Sequence, residues 1–313
     1  MNEIPLTPAK AAGTVFLVPG DYSAHEEPLR AIAADAPKEL QVIITAFLDS
    51  LKGVIRTLSI PFQYTFSQIH SLHWQRIYMA ERIRARSRSD SAEDDTEEVQ
   101  ALSNAKQKFD EYLKGDGRQP MADDVVERLL WLKEDPDSLS AARQLTRQGV
   151  VLAWSALEVL SRDAFVYLLN RRPHLVEVLL SDNTSKKYFS AERVDWPTLA
   201  AYGYNLSSNV GTYLSTKTEI KNVPAIKAVY LALFPNNQQL RSSLSDRRIW
   251  ELSQRRHLLV HSGGIVDQAY REATGSDLPV GASIVVSPQE IESILEATYL
   301  VGTEIVREVS NAA

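Results

Sequence analysis

The chain has no cysteine among its 313 residues. That removes disulfides, cysteine-ligated zinc, iron–sulfur clusters and thiol catalysis together. Stability has to come from packing, which suits a reducing compartment. Long hydrophobic runs are missing as well. The run Val15-Phe16-Leu17-Val18 stops at Pro19-Gly20, far short of the ~20 apolar residues that span a bilayer. No basic stretch precedes it, so no export signal is expected, and a cytoplasmic protein without a membrane partner is expected. An excess of positive charge is also lacking: 34 Lys and Arg face 40 Asp and Glu, a formal net charge of -6. Duplex-DNA binders are usually basic overall. This balance argues against non-specific nucleic-acid binding by the whole surface but leaves room for a local basic cleft. Glycine and proline, at 13 and 14 residues, are too few for a fibrous or low-complexity chain. There is no Gly-x-x-x-x-Gly-Lys-Ser/Thr phosphate loop and no Gly-x-Ser-x-Gly elbow.

What is present is helical patterning. Residues 1–23, with Pro5, Pro8, Pro19 and Gly20, read as an extended leader. From Ala24 to Leu58 apolar residues recur at three- and four-residue steps, with Pro37 opening a new helix. A second amphipathic helix is predicted from about Phe62 to Ile83. Helices follow at Val99–Leu113 and Pro120–Lys133. A long helix from Leu139 to about Asn170 is expected to be capped by Asp137-Ser138. Shorter helical turns are predicted at Leu175–Leu180, Trp196–Tyr204 and Val223–Phe234. Ser245-Asp246 opens a helix over Arg247–His261, which Gly263-Gly264 ends. Residues 278–287 are the one β-like stretch, a candidate short hairpin with Val266–Tyr270. Ser287-Pro288-Gln289-Glu290 starts the last helix. The expected fold is all-α.

Around residues 84–98, arginines (Arg82, Arg84, Arg86, Arg88) give way to Asp90, Glu93, Asp94, Asp95, Glu97 and Glu98. Two adjacent charge blocks with little apolar content read as a mobile linker. The arginines could meet RNA phosphates, or simply form a solvated helix face. The expected organisation is an N-terminal helical region, 1–118, containing that linker, and a second helical domain over 119–313.

The segment that carries chemistry is Gln254-Arg255-Arg256-His257-Leu258-Leu259-Val260-His261-Ser262-Gly263-Gly264. Arg256 and His261 are separated by four residues, and a polar residue, His257, follows the arginine. This resembles the Arg-x-x-x-x-His signature of the HEPN superfamily, whose position after the arginine is commonly Asn, Asp or His. The upstream stretch Trp154–Asp163 resembles the helix with an embedded Glu found in HEPN chains such as the RiboL-PSP-linked group; here that residue is Glu158. The resemblance covers about residues 138–310 and none of 1–118. It implies a HEPN-type helical bundle with an additional N-terminal helical region and at most a small β-hairpin. It further implies a metal-independent endoribonuclease without cofactor, used as a toxin or in antiviral defence, with an antitoxin or regulatory partner possible. Arg256 and His261 would cleave, and His257 and Glu158 would support them. Arg255 and Arg162 would contact RNA.

That chemistry agrees with what the residues can do. Cleavage of RNA by its own 2′-OH needs a proton-transfer group active near neutral pH and a cation for the phosphate. Histidine supplies the first. Arginine stays charged and binds phosphate oxygens in a fork. The 2′-OH makes RNA rather than DNA the substrate. Residues five apart on a helix, however, lie ~140° apart. The family resolves this by dimerising, so a homodimer with a composite site is expected.

Each residue also has a plainer reading. Glu158 and Arg162, at i,i+4, could form a simple ion pair. His257 and His261 could bind a metal, but no third ligand is adjacent. His70 and His73, beside Trp74, read as core-edge histidines. Two other functions stay open: a non-catalytic HEPN module that binds RNA, a nucleotide or a protein, and an unrelated helical scaffold.

Overall fold

In a computed structural model of the chain, residues 12–87, 95–189, 194, 196–217 and 220–313 are described. The periodic apolar segments fold as helices, and among the described residues no β-strand forms. The fold is all-α. The helices are α1 (Ser23–Asp35), α2 (Lys38–Leu58), α3 (Ile60–Arg86), α4 (Asp95–Lys114), α5 (Arg118–Glu134), α6 (Pro136–Arg171) and α7 (Leu175–Ser181). They continue with α8 (Trp196–Ala201), α9 (Val210–Lys217), α10 (Val223–Leu233), α11 (Gln238–Ser243), α12 (Arg247–His261), α13 (Gln268–Thr274) and α14 (Pro288–Ala312). Among the described residues no helix is long and apolar enough to cross a membrane.

By backbone proximity the helices sort into two units that do not follow chain order. Unit 1 comprises residues 1–18 and 58–144, and unit 2 comprises 19–57 and 145–313. The partition at 118/119 expected from sequence follows the chain instead. It could not foresee that α1 and α2 join the later helices.

In unit 1, α3 packs against α4 and α5. Its core gathers Phe16, Val125, Leu129 and Ala142, with Phe62 and Ile69 alongside. Phe16 is buried because Ala12–Phe16 makes a hydrogen-bonded turn, Phe16 N–H to Ala12 O at 3.1 Å. Residues 12–17 of the expected extended leader are therefore part of a core, while residues 18–21 are exposed and without regular secondary structure, as expected. The expected loop at 84–98 is helical at both ends, in α3 to Arg86 and in α4 from Asp95. Its centre, 88–94, lies outside the described residues.

In unit 2, α14 packs against α1, α11 and α12, while α10 packs against α7, α11 and α12. Trp154, Leu157, Leu160 and Phe165 of α6 are fully buried, as are Tyr230 of α10 and Tyr299 of α14. Gly302 lets α14 approach closely, since a Cβ there would collide with the Phe47 ring and Leu160. The long helix starts earlier than expected. Asp135, not Asp137, is the cap, its carboxylate accepting from Ser138 N–H at 2.8 Å. Pro136 then occupies the first turn, where its missing N–H costs nothing.

The β-like stretch 278–287 makes one antiparallel bridge, Ile265 to Ser283. Ile284 N–H donates to Gly264 O at 2.8 Å and Val266 N–H to Ala282 O at 2.8 Å. The expected hairpin partner Val266–Tyr270 is cut short. Asp267 accepts from Tyr270 N–H at 2.7 Å and starts α13 as an N-cap.

Candidate functional site

Helix α12 carries the motif, and both of its ends are fixed by local chemistry. At the start, Asp246 accepts from Arg248 N–H at 2.8 Å and from Arg248 Nη2 at 2.7 Å. Bonding to the Arg248 side chain holds the Asp246 carboxyl below its usual range. At the end, Ser262 N–H and Gly264 N–H both donate to Leu258 O, at 2.9 and 3.1 Å. Gly263 and Gly264 take φ of 60° and 81°, the left-handed region glycine enters without penalty.

Between those ends the helix is two-faced. Ile249, Leu252 and Leu258 are buried, and His257 and His261 are exposed. The two imidazoles lie one turn apart, with ring centroids at 4.6 Å. Arg256 lies elsewhere on the circumference, ~140° and ~7.5 Å of rise from His261. Its side chain is half-buried, and its Nε is buried with no acceptor. Among the described residues the Arg256 side chain has no hydrogen-bond or ion-pair partner. A guanidinium without a carboxylate keeps its full capacity for an anion.

Arg255 is differently placed. Its Nη2 binds Glu290 at 2.8 Å and lies 3.9 Å from Glu251. Glu290 also closes the capping box of α14, accepting from Ser287 N–H at 2.7 Å. Arg255 thus ties α12 to the start of α14. The other two sequence candidates lie on α6. Glu158 accepts from the Trp154 indole Nε1 at 2.9 Å, and Arg162 pairs with Asp163 at 2.9 Å. The i,i+4 pair suggested for Glu158 and Arg162 is therefore divided between two other partners.

Sequence reasoning missed Arg147. This α6 side chain donates to Ile284 O at 2.8 Å and to the Ser283 hydroxyl at 2.5 Å. Its guanidinium carbon is 3.6 Å from where a Cβ on Gly264 would sit. Arg147 therefore braces the backbone that terminates α12. Glu158 sits ~16 Å further along α6. Nothing local marks Arg147, because its partners are more than a hundred residues away in the chain.

Among the described residues no group of three or more His, Asp or Glu side chains could hold a metal ion. The arrangement offers an available cation, two solvent-reachable imidazoles and a rigid helix beneath them. No family model matches the chain, and no curated protein or solved structure matches it.

Proposed function

We propose that this protein is a HEPN-type endoribonuclease that works without metal, acting as a homodimer whose two α12 helices flank one cleft. The observation that carries this reading is the half-buried Arg256 guanidinium without a protein partner, on the helix that exposes His257 and His261. In the proposed reaction the RNA 2′-OH attacks the adjacent phosphorus, and the 5′-oxygen leaves. His261 takes the proton from the 2′-OH and returns it to the departing 5′-oxygen, and Arg256 binds the crowded phosphate oxygens. His257 shapes the site beside His261, and Arg147 holds the helix end. Because Arg256 and His261 point to different sides of α12, the pair that meets one phosphate comes from two copies. A role as toxin or antiviral effector, with an antitoxin or regulator, follows from the HEPN resemblance.

The test is cleavage of single-stranded RNA by the purified chain in EDTA. Cutting should fall by roughly 10²–10⁴-fold in His261→Ala, the range for loss of a general acid or base. It should fall by roughly 10²–10³-fold in Arg256→Ala, as for loss of an oxyanion donor. Mixing the two dead variants should restore about a quarter of the activity, since half the random dimers hold one intact composite site where the unaltered dimer holds two in its cleft. Absence of cutting by the unaltered chain, or full cutting by His261→Ala, would refute the nuclease. A second reading, RNA binding without cleavage, is favoured by the angular separation of Arg256 and His261 around α12. Salt-sensitive RNA binding lost in Arg256→Ala, with no cutting, would establish it.

A further inference from the structure

Unit 1 contains a groove unrelated to α12. It has a volume of about 690 Å³ and is walled by Phe62 and Phe66 of α3, Met121, Val125 and Leu129 of α5, and Ala12 before them. A space of this size lined by apolar side chains with a few polar groups is the usual form of a small-molecule site. Its lining also includes two cations, Lys114 and Arg118, on either side of the turn between α4 and α5. Both are exposed, and among the described residues neither side chain has a hydrogen-bond or ion-pair partner. Asp116, which lies between them in the chain, is not part of the lining. At the same place α5 begins without a side-chain cap at Gly117. The positive end of the helix dipole therefore adds to the two side-chain charges.

We propose that this groove binds a long-chain fatty acid. The chain lies among Phe62, Phe66, Met121, Val125 and Leu129, and the carboxylate faces Lys114 and Arg118. An apolar ligand without charge would leave both cations unused, and a cationic amphiphile would be repelled by them. A carboxylate on an alkyl chain satisfies both halves of the lining. The proposal is independent of the nuclease reading, because no residue of α12 takes part.

The experiment titrates the full chain with palmitate by calorimetry, with circular dichroism confirming that each variant is folded. Saturable binding at one site is expected. Affinity should rise about fourfold for each methylene added between octanoate and palmitate, the increment for burying one CH₂. Reversing both exposed charges, Lys114→Glu with Arg118→Glu, should weaken palmitate at least tenfold. Ala122→Trp, an exposed position on the groove wall, should block entry without touching the cations. Dodecyltrimethylammonium should not compete. The proposal is overturned by no saturable binding, by equal affinity in the charge-reversed protein, or by equal binding of the cationic amphiphile. It is also overturned if deleting residues 1–11 tightens palmitate tenfold or more, which would assign the groove to the chain's own N-terminal segment.

Discussion

Helices α3 and α14 are similar in length, 27 and 25 residues, yet they are stabilised in opposite ways. Helix α14 buries Ile291, Ile294, Leu295, Val301, Ile305, Val306 and Val309, and its aromatic Tyr299 stacks on Tyr22 and His25. Helix α3 buries Thr65, His73 and Glu81, while Ile60, Tyr64, Leu72, Met79 and Ile83 are exposed. What packing does for α14, directed polar contacts do for α3. His73 Nε2 meets Asp124 of α5 at 2.7 Å, and its Nδ1 meets the Tyr112 hydroxyl of α4 at 3.0 Å. Glu81 receives Lys108 of α4 at 2.7 Å and also pairs with Arg84. One imidazole therefore joins α3, α4 and α5. Its geometry depends on Gly117, because a Cβ there would collide with the Tyr112 ring. Apolar packing is non-directional, whereas hydrogen bonds fix angles. Unit 1 should therefore be less stable for its size, and more sensitive to pH, than unit 2.

The largest effect should come from cutting into the packed side. Leu295→Ala, at a position with no exposure, is expected to cost unit 2 about 3 kcal/mol through lost transfer energy and a cavity. Native-state hydrogen exchange read on peptides of α14 would measure it. A cost below about 1 kcal/mol would mean that α14 is not the centre of a tight core. His73→Leu keeps apolar bulk but removes both hydrogen bonds. It should cost unit 1 about 1.5 kcal/mol, the net worth of a pair of such bonds with a partner left unpaired, read by exchange in α3 and α5.

The same contrast explains what the sequence revealed. Helix α12 was legible at both ends because its signals are local: Asp246 caps it and two glycines stop it. The last helix was equally legible through Ser287 and Glu290. Helix α9 was not, because its cap is tertiary. Asn170, on α6, accepts from Gly211 N–H at 2.8 Å and Thr212 N–H at 3.2 Å. Gly211 itself is needed because a Cβ would collide with the Val166 backbone. The polar interior of unit 1 was hidden for a related reason. His73 was read as a core-edge histidine, which fits its burial, but its partners lie 39 and 51 residues away. At the candidate site, Arg256, His257 and His261 follow from one short motif. Arg147 does not, since only folding brings it to Gly264. Periodicity also could not show that Leu72 and Met79 of α3 are exposed.

Acid should move the two units in opposite directions, by smaller amounts. Lys108 and Arg84 hold the Glu81 carboxyl below its usual range. A depressed folded value means that its contribution is full above the unfolded carboxylate pKa and is lost as pH falls through the folded one. Glu292 of α14 is raised, by burial first and then by Glu296. A raised folded value means that its ionised form strains unit 2 as pH climbs, and acidification relieves it. Glu81→Gln should therefore destabilise unit 1 at pH 7 and converge on the unaltered protein at low pH. Glu292→Gln should stabilise unit 2 at pH 7 and likewise converge at low pH. Exchange protection of α3 and α14 across that range would show both. Parallel, pH-independent shifts would contradict the assignment.

The smallest effect should be on the outer face of α3. Met79 is 49% exposed, so it contributes little burial to the isolated chain, and most surface substitutions stay within about 0.5 kcal/mol. Met79→Ser is expected to fall inside that range at low protein concentration. The result that would sharpen the comparison is a concentration dependence. Suppose the cost of Met79→Ser grew as the protein was concentrated, in step with a change in sedimentation. The face would then be covered by a second copy, and the apparent weakness of α3 would belong to the monomer alone. If the cost stays near zero at every concentration, α3 is held by its polar contacts without help from its exposed apolar face, as the His73 and Glu81 geometry requires.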